Sequence, residues 1–133
     1  MESEVIASRR LAGRRLLVVE DNFLIAHEIA SLLKTHGAIV LGPASTVSQA
    51  LRLLRRSPPD GALLDVKLGN ETGEPVAAAA RQRRVPILLL TGIDPSAFPA
   101  ALANEQYLSK PFQAAELVAA VASLLTEPPS VCE

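Results

Sequence analysis

Two hydrophobic patterns alternate along the chain. Five short apolar runs occupy residues 15–20, 38–41, 61–65, 86–91 and 106–108. The first, third and fourth are near-continuous Leu, Val and Ile. A strand covered on one face alternates apolar and polar side chains. Continuous runs therefore predict strands covered on both faces, as in a parallel sheet. The segments between them carry a helical period. From Phe23 to His36 the apolar positions are 25, 29, 32 and 33, and Gly37 follows where a left-handed residue ends a helix. Thr46-Val47-Ser48-Gln49 has the form of a capping box, with Ala50-Leu51 and Leu53-Leu54 behind it and Pro58-Pro59 closing the helix. Residues 74–84 are Ala-rich, with Pro75 tolerated in the first turn. Residues 112–125 repeat apolar side chains at 117, 118, 121, 124 and 125.

Strand and helix thus alternate, which predicts a doubly wound α/β domain of (βα)5 type with a five-stranded parallel sheet. One interval is tight. Only 18 residues separate Thr91 from Lys110, and Pro95 and Pro99 interrupt them, so the fourth helix should be short or absent. The 133 residues fit one domain, expected over 14–126, between a flexible N-terminal arm (1–13) and a disordered tail (127–133) containing Pro128-Pro129.

Composition narrows the function classes. The net charge of −1 gives no global basic field for nucleic acid, and Arg9, Arg10, Arg14 and Arg15 read as a solvated patch. No window approaches the roughly 18 apolar residues a membrane span needs. Arg9-Arg10 lacks the apolar region that would make it an export signal. The single cysteine, Cys132, permits no internal disulfide and points to the cytoplasm. His27 and His36 share no helix face and have no partner at metal-ligand spacing.

In an open parallel sheet, function gathers at the C-terminal ends of the strands. Glu20 and Asp21 follow the first strand, Asp65 ends the third, Thr91-Gly92 ends the fourth, and Lys110-Pro111 follows the fifth. Each item has a plain alternative: an acidic helix start, a turn starter, a turn, a solvated helix start. Their order on successive strand ends is what those alternatives do not predict. Three carboxylates brought together are tolerable only with a cation between them or with raised pKa values. An oxygen-only site that keeps water suits Mg2+. A carboxylate beside it can attack a phosphoryl group, with the Lys and the Thr hydroxyl serving the phosphoryl oxygens.

The segments Leu17-Val18-Val19-Glu20-Asp21-Asn22, Leu63-Leu64-Asp65-Val66-Lys67-Leu68, Leu89-Leu90-Thr91-Gly92 and Tyr107-Leu108-Ser109-Lys110-Pro111-Phe112 resemble the receiver domain of bacterial two-component response regulators. The resemblance spans roughly residues 14–126 and implies the flavodoxin-like fold. It implies that Asp65 is the phosphoacceptor. Mg2+ would be held by Asp21, Asp65 and the backbone carbonyl of Lys67, with Glu20 acting through a bound water. Lys110 would pair with a phosphoryl oxygen, Thr91 would move toward the phosphoryl group, and Tyr107 would change rotamer in response. The donor would be the phosphohistidine of a sensor histidine kinase or a histidine phosphotransfer protein, and small-molecule phosphodonors could serve in vitro. With no output domain in sight, the signal is expected to pass to a partner protein.

Some positions depart from the family pattern. Leu68 is followed by Gly69-Asn70-Glu71-Thr72-Gly73 where Pro is frequent, so this loop is expected to be more mobile. Leu89-Leu90-Thr91-Gly92-Ile93-Asp94 partly resembles a subgroup of single-domain alphaproteobacterial receivers, with Leu89 for a Phe and Asp94 for a Tyr. Lys67 and Ile93 stand where family members control dephosphorylation. Neither can orient a water, which implies a moderately long-lived phosphoryl group. Competing readings are a pseudo-receiver that binds protein without turnover, a flavin carrier and an Asp-nucleophile phosphatase. Glu20-Asp21 would repel a flavin phosphate, and the phosphatase's second Asp is replaced by Lys67. No Gly-rich phosphate loop follows a strand.

Overall fold

The structure is a computed structural model that describes residues 7 and 9–125. Its elements are β1 (Arg15–Val19), α1 (Phe23–Thr35), β2 (Ile39–Ala44), α2 (Val47–Arg56), β3 (Gly61–Leu64), β4 (Lys67–Leu68), β5 (Glu71–Thr72), α3 (Glu74–Gln82), β6 (Ile87–Thr91), β7 (Gln106–Ser109) and α4 (Ala114–Leu125). Five strands form one parallel sheet in the order β2-β1-β3-β6-β7. The order reverses between β1 and β3, so their C-terminal ends flank the crevice where such sheets place their sites.

Two apolar layers cover the sheet. Leu17, Val19, Leu64 and Leu89 pack with Ala50 and Leu54 of α2 and Val76 and Ala80 of α3. Leu16, Val18, Leu63, Leu88 and Leu90 pack with Ile29 and Leu33 of α1 and Leu117 and Val121 of α4. Successive strand residues face opposite layers, which is why the runs are apolar at every position.

Helix ends follow the chemistry expected of them. Asn22 Oδ1 accepts from Ile25 N–H at 3.0 Å, and Thr46 Oγ1 accepts from Gln49 N–H at 3.1 Å. Gln49 Oε1 completes the box through Ser45 N–H, one residue earlier than expected, at 2.8 Å. Gly37 has φ +87°, the left-handed conformation that ends α1.

Three features differ from expectation, and the fourth helix meets it. β2 runs on to Ala44 through an irregularity at Gly42-Pro43, where the register passes from Leu17↔Leu41 to Val19↔Ala44. A two-residue turn at Gly69-Asn70 joins β4 and β5 as an antiparallel hairpin, so the segment expected to be mobile is paired. Gly69 has φ +63°, as the first position of a type II′ turn requires. The fourth helix is replaced by two 3₁₀ turns, Pro95–Ala97 and Ala100–Leu102, as the prolines suggested. Finally, the segment read as an arm contributes to the core. Residues 9–11 are helical, Leu11 is fully buried, and Ala7 packs against the same layer. The expected tail over 127–133 lies outside the described residues.

Leu11 separates an arm from a structural element. Leu11→Ala should destabilise the protein by about 2–5 kcal/mol in urea unfolding, the usual range for a buried leucine. An unchanged midpoint would restore the arm.

Candidate functional site

The parallel register brings the ends of β1 and β3 side by side, with Val19 opposite Leu64. Glu20 and Asp65 therefore emerge together, and Asp65 N–H donates to Val19 C=O at 3.1 Å. Glu20 and Asp65 are buried and Asp21 is exposed. One carboxylate oxygen from each lies within 4.8 Å of the others. Lys110 reaches the cluster from the far side, because β6 and β7 pair up to Thr91↔Ser109 and Lys110 N–H then donates to Thr91 C=O at 2.8 Å. Its Nζ lies 2.7 Å from Glu20 Oε1 and 2.8 Å from Asp65 Oδ2.

Each of the three carboxylates also accepts a backbone N–H. Glu20 Oε2 accepts from Asn22 N–H at 3.1 Å, and Asp65 Oδ1 accepts from Lys67 N–H at 3.2 Å. Asp21 Oδ2 accepts from Gly69 N–H at 2.9 Å, which ties the hairpin tip to the cluster. Thr91 is fully buried, and its Oγ1 accepts from Ile93 N–H at 3.0 Å. Lys67 opens the hairpin with its side chain exposed. Tyr107 stands apart, 46% exposed on the edge strand and edge-on to Phe98 at a centroid distance of 5.5 Å. The structure thus gathers Glu20, Asp21, Asp65 and Lys110, places Thr91 and Lys67 at neighbouring strand ends, and sets Tyr107 outside.

The charges are unequal. Burial pushes the Glu20 carboxyl above its usual range and Asp65 adds to this, more than the Lys110 and Asn22 hydrogen bonds counteract. For Lys110 burial acts downward, but the hydrogen bonds to Asp65 and then Glu20 outweigh it, so the ammonium titrates above 10.5. Its contribution to stability is full below 10.5 and is lost as pH rises through the higher folded value. One ammonium thus serves two carboxylates, and a third faces solvent beside them. A hard divalent cation suits this donor set, which is all oxygen and open to water on the Asp21 side.

Residues that composition and spacing did not single out also shape the site. Gly73 N–H donates to Val66 C=O at 2.8 Å, and a Cβ on Gly73 would meet Asp65 C=O at 2.6 Å. No larger residue can close the hairpin this near to the strand end. Glu71 Oε1 accepts from Val47 N–H at 3.3 Å, joining the hairpin to the start of α2. The Gly69-Asn70 pair, a two-residue hairpin-turn dipeptide, was the available signal.

A doubly wound sheet with an acidic cluster and a lysine at its switch point is a phosphoryl- or metal-handling architecture. The comparisons specify which. The response regulator receiver domain family matches residues 16–122, and the chain belongs to that family. It is 30% identical over 115 residues to the transcriptional regulatory protein PdtaR of Mycobacterium tuberculosis, covering 81% of this chain and 55% of PdtaR. It is 31% identical over 115 residues to the photosynthetic apparatus regulatory protein RegA of Cereibacter sphaeroides, covering 83% of this chain and 62% of RegA. The chain therefore spans little more than half the length of these curated relatives. Among solved structures, the response regulator PhyR from Brucella abortus matches with a TM-score of 0.79 at 26% identity, over 92% of this chain and 51% of that one. The receiver domain of the sensor histidine kinase PA1611 from Pseudomonas aeruginosa matches with a TM-score of 0.75 at 30% identity, over 86% of this chain and 98% of that one. That structure has a magnesium ion coordinated in its active site cleft. Among the described residues no helix is long and apolar enough to cross a membrane.

The raised Glu20 pKa has a measurable sign. Folding favours protonated Glu20, so its contribution is full below 4.5 and is lost as pH rises through the folded value. In EDTA, Glu20→Gln should raise the urea midpoint at pH 7, and the gain should vanish below pH 4.5. A gain of equal size at both pH values would contradict this.

Proposed function

We propose that the chain is a working phosphoacceptor that takes a phosphoryl group on Asp65 from a phosphohistidine donor and passes the signal to a partner protein in the cytoplasm. The observation that carries this is the Lys110 ammonium bonded to Asp65 Oδ2 at 2.8 Å and Glu20 Oε1 at 2.7 Å, with Asp21 in the same cluster. Asp65 supplies the nucleophile. Its carboxylate oxygen bonds to phosphorus as the bond from phosphorus to the donor imidazole breaks, and that ring nitrogen keeps the electron pair. Hydrogen bonds from Lys67 N–H and Lys110 orient the carboxylate beforehand, so little reorganisation accompanies attack.

Asp21, Asp65 and the Lys67 carbonyl would hold Mg2+, with Glu20 contributing through water. The ion supplies positive charge to the phosphoryl oxygens. Lys110, already at Asp65, pairs with another of those oxygens. The Thr91 hydroxyl accepts from Ile93, which leaves its own O–H to donate to a third. Phosphorylation replaces the carboxylate's charge of −1 by about −1.5 to −2. Thr91 moves toward that charge, and the exposed Tyr107 on the paired strand responds, altering the surface it shares with Phe98. Lys67, exposed, and Ile93, packed against the core, offer no group to aim a hydrolytic water, in keeping with a moderately long-lived phosphoryl group.

The donor's docking place adjoins the site. Phe23 and Leu24 open α1 directly after Asn22 and are 80% and 71% exposed. Two such side chains beside a phosphoacceptor suit an apolar helical surface that carries the histidine.

Intact-mass measurement after incubation with acetyl phosphate and Mg2+ should show one added phosphoryl group. Asp65→Asn or EDTA should abolish it. No gain, where a known receiver is labelled, would favour a pseudo-receiver. With a phosphohistidine protein as donor, Phe23→Ala with Leu24→Ala should slow transfer roughly tenfold or more, in the range of lost interface anchors. Labelling by acetyl phosphate should be unchanged. Equal loss with both donors would refute the docking assignment.

A further inference from the structure

The N-terminal edge of the sheet, opposite the acidic cluster, holds a groove of about 890 Å³. Its floor is apolar, built from Val85 and Ile87 at the start of β6 and Leu124 at the end of α4. Four arginines line it: Arg10 and Arg14 from the segment before β1, and Arg81 and Arg84 from the end of α3. Two carboxylates share the groove. Glu105 Oε2 lies 2.6 Å from Arg81, and Asp60 Oδ2 accepts from the backbone N–H of Arg15 at 2.8 Å. Among the described residues, Arg10, Arg14 and Arg84 have no carboxylate within ion-pair distance. Four guanidinium groups against two carboxylates leave an excess of positive charge among the described residues of the groove, which a multivalent anion would offset.

Arg84 adds a second observation. It is the only non-glycine among the described residues with a positive φ, at 59°. Val85 N–H donates to Ala80 C=O at 2.9 Å, so Arg84 occupies the left-handed position after α3 that glycine normally takes. A costly conformation is accepted with an arginine in it, and that arginine faces the groove. Arg81 lies in the last turn of α3, where a cation also complements the helix dipole. Arg14 precedes a strand and has no such reason.

We propose that this groove is a second binding site, for a nucleotide-sized ligand carrying a diphosphate or triphosphate. Guanidinium forks match phosphate oxygens two at a time. The apolar floor suits a flat, weakly polar ring. The volume falls within the roughly 300–1,000 Å³ usual for small-molecule sites. Arginines here take the place of the glycine-rich phosphate loop that the chain lacks. The site is independent of Asp65 and of phosphoryl transfer.

The test uses the full chain in EDTA, so that no divalent ion draws nucleotide to the acidic cluster. ADP, pyrophosphate and adenosine are titrated and followed by amide NMR and calorimetry. ADP should shift the amides of Arg84, Val85 and Leu124 saturably, and adenosine should bind at least tenfold more weakly. Arg84→Gly should weaken ADP roughly tenfold, as loss of a charged hydrogen-bonding partner does. Its Tm should hold or rise, because glycine is at ease at that position. Arg14→Gln should weaken ADP similarly, and both variants should accept phosphate from acetyl phosphate as wild type does. Absence of saturable shifts at the groove overturns the proposal. So do shifts confined to the Asp65 end, undiminished binding by Arg84→Gly, or a groove that responds to an oligonucleotide and not to ADP.

Discussion

The ammonium of Lys110 sits between two buried carboxylates, 2.7 Å from Glu20 and 2.8 Å from Asp65. The rest of the molecule depends on that triangle. Two carboxylates this close, taken out of water without a cation, would force a proton onto one of them. Burial first, and Asp65 after it, hold the Glu20 carboxyl above its usual range despite the ammonium. An incoming divalent ion is favoured by the same imbalance. The excess of carboxylates over ammonium is the feature a divalent cation would offset.

The triangle exists only in the folded sheet. Its members lie 45 and 90 positions apart in sequence and come from the ends of β1, β3 and β7. Parallel pairing sets their depth, and two local devices refine it. The irregularity at Gly42-Pro43 brings Ala44 C=O under Glu20 N–H at 2.9 Å. The β4–β5 hairpin leans on the end of β3 through Gly73, holds Asp21 through Gly69, and touches the start of α2 through Glu71. A short covalent and hydrogen-bonded path thus joins Asp65 and Asp21 to α2, separate from the one proposed through Thr91 and β7.

Much of this was legible in the sequence, for reasons that can be named. Burial on both faces makes β1, β3 and β6 continuous apolar runs, and alternation with helical periods leaves few topologies. The fold then does the gathering: Asp21, Asp65 and Lys110 converge because doubly wound sheets carry strand ends to one edge. What remained hidden depended on single residues or on contacts. Leu11 is one apolar side chain among arginines, too little for a periodic signal. Gly42-Pro43 reads as a stop, yet β2 continues past it. The hairpin has strands of two residues, below the length at which alternation can be seen. The pairing of Lys110 with Glu20 as well as Asp65 is a matter of ångströms, beyond any pattern. That Arg10 and Arg14 share a groove with Arg81 and Arg84 was hidden because the two pairs are about seventy residues apart in the chain.

The charge distribution follows from these placements. Among the described residues three carboxylates gather at the C-terminal edge of the sheet and four arginines, with Asp60 and Glu105, at its N-terminal edge, so a net charge of −1 conceals an uneven distribution. Locating the phosphoryl group tests most directly whether the first of those edges is a phosphoacceptor site. After reaction with acetyl phosphate and Mg2+, borohydride reduction converts an aspartyl phosphate to homoserine, which peptide mapping then finds. Homoserine at position 65 alone is the expected result. Homoserine at position 21, or a label resistant to reduction, would contradict the assignment of Asp65 as the phosphoacceptor.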